Sequence, residues 1–567
     1  MTRLAPASLV GLLAAAACTG TITDGRGGDS NDQTPPVIEV TSPARGTVTE
    51  DSSVVLAGSV TDTQSAVSLK VNGEAVPVNP DGSFSTTIQV GEGITLFDTI
   101  ATDAAGNEAN DARAVLAGQL VPQETPVAEG VVANLSGEAM KGLGSLVSNL
   151  ANNTDFTALA TSLNPVVDAG GGGCNSARVY VNSVGHSGIE VGVNPVTGGV
   201  GAAVTMRSLV VQGSVSFRAL CIGGSASWTI TADDYDVGGT IQPTLSAGTI
   251  NIALAGVSSE FRGFNLDFNN IPGFIENIFE DDVRDKLAQI LRDKVNEMVP
   301  PLTTAFLAEF LAGAWDVSFL GQTVSLSVTP SAMNWTEQGG TIVLDTGASV
   351  LGVEGANYLS SPRPRPSEAD MASTGLRIGL ADDVLNQLLA GIWASGALEG
   401  AMVPGDSAAI GAALGGDVAS ATMTLMLPPV ANFDTTTGTS RITIGDMVVT
   451  AVDPAGATLA SFVVSADIDL AVETTSDGRV KVVTRTPRIL GQVLEQAPTL
   501  LVPLDKLKVA AISELAIKTM SLQADSLLEN LPVPGLADAT IMAPTFQPVM
   551  GYMLMGGNIE FAPPAVP

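Results

Sequence analysis

The side chains able to do chemistry are few and poorly placed for it. The chain has one histidine, His186. Its neighbour Ser187 is a poor partner, because successive side chains in extended backbone point to opposite faces. The surrounding Val184-Gly-His-Ser-Gly188 is not the strand-to-helix turn of a nucleophile elbow, so His186 is expected to be structural or at the surface. Gly170 to Gly173 precede Cys174 with no Lys-Ser/Thr after them and no helix to follow, which reads as a turn and not as a phosphate loop. Asp233-Asp-Tyr-Asp236 lacks the glutamate spacing of an EF-hand and is expected to be a solvated loop. Asp103 and Asn107 are possible calcium ligands that also suit a short turn, the commoner use of such residues. The paired acids Asp281-Asp282 and Asp382-Asp383 begin apolar-striped segments, where the positive end of a helix accounts for them without acid–base catalysis. No enzyme activity, metal or cofactor is expected.

The three cysteines say more. The chain opens Met-Thr-Arg and runs through the short apolar Leu4 to Ala17 into Cys18, a secretory signal by its order of charge, apolar stretch and small residues. That stretch, with Pro6 in it, is shorter than the roughly 20 residues a spanning helix needs. The small residues before Cys18 resemble a bacterial lipoprotein signal, which implies that Cys18 becomes the lipidated first residue of the mature protein. Ala15 stands where that family usually has Leu, and an ordinary signal peptide cleaved nearby is the alternative. Thr19 after the cysteine resembles lipoproteins sent to the outer membrane, implying a Gram-negative envelope and a membrane attachment through the N-terminal lipid. Cys174 and Cys221 then remain as an even pair in an oxidising compartment, and a disulfide between them is expected, the alternative being two buried thiols. Closing a loop of that length stabilises by about 4 kcal/mol in the chain-entropy model.

Composition sets further bounds. The chain has 567 residues, 25 basic against 58 acidic, a net charge of −33, yet only 15% of it is charged and 45% is hydrophobic. Phosphate neutralisation needs clustered Lys and Arg, so no nucleic-acid partner is expected, and docking on anionic lipid by charge is disfavoured for the same reason. Aromatic residues are only 4%, so the core must be aliphatic. The length suits several domains.

These residues sit on a readable sequence of elements. After the signal (1–18), residues 19–35 are a polar tether too poor in apolar residues to fold. Residues 36–118 alternate apolar and polar in short runs such as Val54 to Val60 and Phe84 to Val90, with Asn72-Gly73 as a hairpin turn, and read as an all-β sandwich. A linker follows at 119–126. Apolar spacing predicts a helix over Val131 to Leu150, strands from about 177 to 268, and a long helix over Phe274 to Val299. Strands resume over 316–351, before the surface loop Ser360 to Ser367. Thr374 to Leu380 is then a strand and Ala381 to Ser395 a helix, followed by strands over 421–484. A helical pattern from Ile489 to about Leu515, broken at Pro498 and Pro503, and closing strands to Phe561 complete the chain.

Two kinds of family resemblance emerge. Thr34 to Pro43, Val71 to Phe84 and Ala101 to Asn107 resemble bacterial immunoglobulin-like domains, which implies a spacer or a binding module. Gly375 to Leu398, Leu531 to Phe561 and the helix from Phe274 to Leu311 resemble the family of bactericidal/permeability-increasing protein, lipopolysaccharide-binding protein and cholesteryl ester transfer protein. The resemblance spans about 125–567 on few fixed polar residues. It implies an α+β fold in which two barrel-like curled antiparallel sheets, each packed on a long helix, are joined by a central sheet into a boomerang. The units would be an N-terminal barrel at 127–315, central sheet and loop at 316–370, and a C-terminal barrel at 371–567. Ile275, Phe279, Val283, Leu287 and Leu291, with Leu385, Leu388, Leu389 and Ile392, face the barrels by periodicity and are the candidate lipid-pocket residues. Burying an acyl chain gains about 0.8 kcal/mol per CH₂, which such aliphatic walls supply. Two features depart from the family. The long helix has no cysteine to bond to a strand, so Cys174 and Cys221 must join something else, with neighbouring strands the expectation; and an acidic chain disfavours lipopolysaccharide as ligand. The functional expectation is a non-enzymatic lipid-binding or lipid-transfer lipoprotein of the outer membrane. The alternative is a surface adhesin or scaffold that binds a protein or glycan through its immunoglobulin-like domain.

Overall fold

The structure is a computed structural model that describes residues 32–561, except 64–65, 170–175, 220, 270–288, 290–314, 320, 402–409, 413, 434–439, 475–479, 486, 501–503 and 515–538. Strands make up 62% and helices 12%, an α+β protein built of several open sheets. The expected helix from Phe274 to Leu311, Gln289 excepted, and its five candidate pocket residues Ile275, Phe279, Val283, Leu287 and Leu291 lie outside the described residues, as do Asp281, Asp282, Cys18, Cys174 and Gly170 to Gly173.

Contacts divide the chain into two units: one of the residues up to Ser42 with Leu56–Thr86 and Asp98–Asp111, the other of Pro43–Val55, Thr87–Phe97 and everything from Ala112 on. Between Val37 and Ala117 eight strands form a three-stranded and a five-stranded sheet, as the alternation predicts. In the smaller unit Leu56, Val60, Leu69, Phe84 and Ala101 are buried. In the larger unit Leu96, Ala112, Ala114 and Leu116 share a buried cluster with Leu359, Leu427 and Leu490.

The larger unit contains three seven-stranded sheets. One draws on both halves of the chain, in the order Trp315–Phe319, Gln322–Thr336, Gly339–Val350, Val127–Ser136, Leu376–Ala381, Tyr552–Phe561 and Ala539–Val549. A second is built on the long strands Gly199–Ala219 and Ile222–Ser246 with Thr249–Arg262 beside them. The third is built on Ser440–Val452 and Thr458–Thr474. Helical segments among the described residues include α1 (Gly137–Asn152), α2 (Phe156–Ser162), α3 (Glu368–Met371), α4 (Asp382–Ala394) and α5 (506–514).

Four expectations are corrected. Val131 to Ser136 is strand, not helix. It is hydrogen-bonded on both sides, to Gly339–Val350 and to Leu376–Ala381, and this two-sided pairing outweighs the helical spacing. α1 begins at Gly137, after Ser136, whose hydroxyl accepts the Ala139 amide at 3.2 Å. Arg488–Gln496 is likewise strand, paired with Thr458–Thr474, and Pro498 and Pro503 separate it from α5. Asp233 to Asp236 lie inside a strand, with Arg262 bridging Asp234 and Asp236 at 3.1 and 2.7 Å. Finally, Gln119–Pro122 in the expected linker pairs in antiparallel register with Asn357–Ser360.

Candidate apolar binding face and a helix with a buried polar side

The second sheet separates its chemistry by face, because side chains alternate along a strand and directly paired residues share a side. One face carries registered apolar rows: Ile189, Met206, Tyr235 and Phe261; then Val191, Val204 and Val237; then Val200, Ile241 and Leu254. The tyrosine and phenylalanine rings stack with centroids 4.3 Å apart, and Phe264 meets Phe261 at 5.4 Å. The opposite face carries the acids and their partners, Glu190 with Arg207 at 2.7 Å and Asp234 and Asp236 with Arg262. Ile189 and Tyr235 are buried, but Val204, Met206, Val237, Ile241 and Leu254 are only half-buried. Aliphatic rows left half-accessible over three strands can bury an acyl chain.

The third sheet differs. Its inner residues Met447, Val449, Phe462 and Val464 are at most 2% exposed and pack against Val509 and Ile512 of α5. Among the described residues this half is a filled core.

α4 forms where strand Leu376–Ala381 ends, with the acids Asp382 and Asp383 in its first turn. The sequence leads one to expect apolar side inward and polar side to water, and the helix does otherwise. Asp382, Asp383, Asn386 and Gln387 are between 1% and 5% exposed. Each takes a backbone amide, and the four amides come from three segments distant from the helix in sequence. The amide of Phe433 donates to Asp382 Oδ2 (3.1 Å), that of Ser361 to both oxygens of Asp383 (2.8 and 3.0 Å), and that of Ala431 to Asn386 Oδ1 (2.7 Å). The Ala348 amide donates to Gln387 Oε1 (2.7 Å), while Gln387 Nε2 donates to the carbonyls of Gln123 and Thr125. Gly391 permits the close approach this needs, since a Cβ there would meet the Gln123 side chain and the Val350 methyl. Burial pushes the carboxyls of Asp382 and Asp383 up to about 7 and about 6, against the lowering effect of the amides they accept. The helix dipole alone would act in the opposite direction, so desolvation dominates. Tyr358 and Tyr552 nearby are likewise raised to about 12 by burial, and their hydroxyls donate to the carbonyls of Thr125 and Glu129.

The apolar residues of α4 divide. Ile392 is fully buried against Val324 and Val350, with Leu388 partly buried beside it. Leu385 and Leu389 stay half-buried. The sequence marks Asp382 and Asp383 as acids at a helix start; the burial of the stripe at 382, 383, 386 and 387 was not legible, because four separate strands and loops supply its partners.

Elsewhere, the His186 ring meets Phe156 edge-on at 5.7 Å. Asp103 accepts the amides of Gly106 and Asn107 and the Asn107 side chain, which holds its carboxyl below its ordinary value. Among the described residues one group has the spacing to hold a metal ion, Asp32, Asp62 and Asp103, each with an oxygen within 4.8 Å of the others. No helix among the described residues is long and apolar enough to cross a membrane.

The described architecture is that of an α+β protein of open antiparallel sheets with an immunoglobulin-like segment before it. Residues 36–119 match a family model described as glucodextranase, domain B. No curated protein matches the chain. Among solved structures it is similar to lipopolysaccharide binding protein (TM-score 0.43, 14% identity), with 77% of this chain and 99% of that one covered. It is also similar to P47 of Clostridium botulinum E1 (TM-score 0.23, 8% identity, 77% and 100% covered).

Proposed function

We propose that the protein is a non-enzymatic lipid-binding or lipid-transfer lipoprotein of the cell envelope. The observation that carries this is the half-accessible apolar face of the sheet built on Gly199–Ala219 and Ile222–Ser246, backed by a charged face turned the other way. A face of this kind gains by desolvating hydrocarbon and offers almost no polar group to orient a reaction. In the proposal the sheets curl around acyl chains as barrels, with Leu385 and Leu389 as further wall residues and Cys18 as the anchor to the outer membrane. The Cys174–Cys221 disulfide belongs to the same reading. Ser176, two residues after Cys174, pairs with Arg218, three before Cys221, so the bond would join neighbouring strands. Native mass spectrometry of the purified chain, with extraction and identification of what it carries, tests the proposal: lipid bound in stoichiometric amount is expected, and consistently empty protein overturns it. Radiolabelled palmitate incorporated by the wild type and lost in Cys18→Ala tests the anchor.

A further inference from the structure

We infer that a polar cleft at the start of α1, apart from the apolar face, is a binding site for a neutral oligosaccharide. The cleft has a volume of about 890 Å³, within the usual size of a small-ligand site. Its wall is assembled from the first turn of α1, the strand end at Asn194–Val196, the turn at Thr336–Gly339 and the stretch from α3 to Thr374. Four amide side chains line it. Asn134 and Asn334 each donate one bond, to Thr341 Oγ1 and to Glu368 Oε1, which leaves their carbonyl oxygens to accept. Asn194 and Gln338 make no side-chain hydrogen bond among the described residues. The Ser373 hydroxyl, also in the wall, is buried without a hydrogen-bond partner among them.

These groups select the ligand by elimination. An acyl chain would desolvate the amides and the hydroxyl with nothing to pair them. An anion would meet Glu138, Glu337 and Glu368 with only Lys141 to offset them, and Lys141 is already held by Glu138 at 2.7 Å. Sugar hydroxyls both donate and accept, as amides and a serine hydroxyl require, and a neutral ring carries no charge for the carboxylates to repel.

The test is calorimetric titration of the full chain with maltotriose, cellotriose and chitotriose, and with trigalacturonic acid as the anionic counterpart. At least one neutral trisaccharide is expected to bind, with the uronate about tenfold weaker or more. The double variant Asn194→Ala, Gln338→Ala alters two exposed side chains, so its melting temperature should match the wild type while the neutral sugar binds about tenfold more weakly. Glu337→Gln, a second exposed change, should narrow the gap between the neutral sugar and the uronate. No binding by any neutral trisaccharide at millimolar concentration, a preference for the uronate, or unchanged affinity in the double variant overturns the inference.

Discussion

Arg45 Nη1 lies 3.3 Å from Oδ1 of Asp446, a carboxylate with no exposed surface, while the amide of Gly46 donates to the other carboxylate oxygen at 2.9 Å. The same guanidinium donates to the carbonyl of Ala112 and to Gln492 Oε1, so three stretches of the larger unit, far apart in sequence, converge on it. Burial raises the carboxyl of Asp446, and the Gly46 amide and Arg45 oppose that. Removing one partner of such a pair leaves a buried charge uncompensated, at a cost of about 3–5 kcal/mol. Arg45→Ala is therefore expected to lower the denaturant midpoint strongly. The exposed pair Lys141 and Glu138 is the control, because Lys141→Ala should cost under about 1 kcal/mol. Equal effects of the two substitutions would show that burial confers nothing on the Arg45 contact.

Asp382 and Asp383 make stability depend on pH in a direction opposite to most carboxylates. Their folded values of about 7 and about 6 lie above the ordinary 3.8. The folded chain therefore holds protons that the unfolded chain releases between pH 4 and 7. Their contribution is fully present below about pH 4 and is lost as the pH rises through 6 to 7. Asp382→Asn keeps an acceptor for the Phe433 amide without the charge. It is expected to be more stable than wild type at pH 8, by on the order of 2–4 kcal/mol, and to lose that advantage at pH 4. Thermal melts of both proteins at the two pH values check this. A difference between them that does not change with pH would sink it.

Elements whose own residues settle their conformation were legible from the sequence. α4 was expected over Ala381–Ser395 and runs Asp382–Ala394; the runs of alternating residues between Val37 and Ala117 are strands. Val131–Ser136 and Ile489–Gln496 were misread because apolar residues close together suit a helix and a strand alike. Only their partners decide, two strands for the first and Thr458–Thr474 for the second. The apolar rows of the second sheet show the same limit. Val191, Val204 and Val237 are far apart in sequence and become one row through register, which no local pattern reports.

Cys221 stands at the turn between Gly199–Ala219 and Ile222–Ser246, in the left-handed region with φ 68. A bond to Cys174 would close a loop that the chain-entropy model values at about 4 kcal/mol. Peptide mapping without reductant is expected to recover the two cysteines cross-linked. Cys174→Ser should then lower the melting temperature, and reductant should lower that of the wild type but not of the variant. Recovery of both thiols alkylated without reduction refutes the pairing.

The aliphatic residues of α4 differ in burial. Ile392 has no exposed surface and contacts Val324 and Val350, so Ile392→Ala removes packing that the site cannot replace and is expected to cost about 2–5 kcal/mol. Leu385 and Leu389 are half-buried on a helix whose other face is fixed by Asp383, Asn386 and Gln387. The double change Leu385→Glu, Leu389→Glu therefore leaves that polar clamp in place and, under the proposed function, puts two charges in the wall that faces hydrocarbon. The variant is expected to fold with a melting temperature near that of the wild type and to carry less lipid through purification, measured by native mass spectrometry. Ile392→Ala should show the reverse, a lowered melting temperature with lipid retained in the fraction that stays folded. If the glutamate variant unfolds while Ile392→Ala is silent, the helix packs the other way round and Leu385 and Leu389 are core. If the glutamate variant is stable and keeps its full complement of lipid, α4 forms no part of the wall and the sheet face alone must hold the chains.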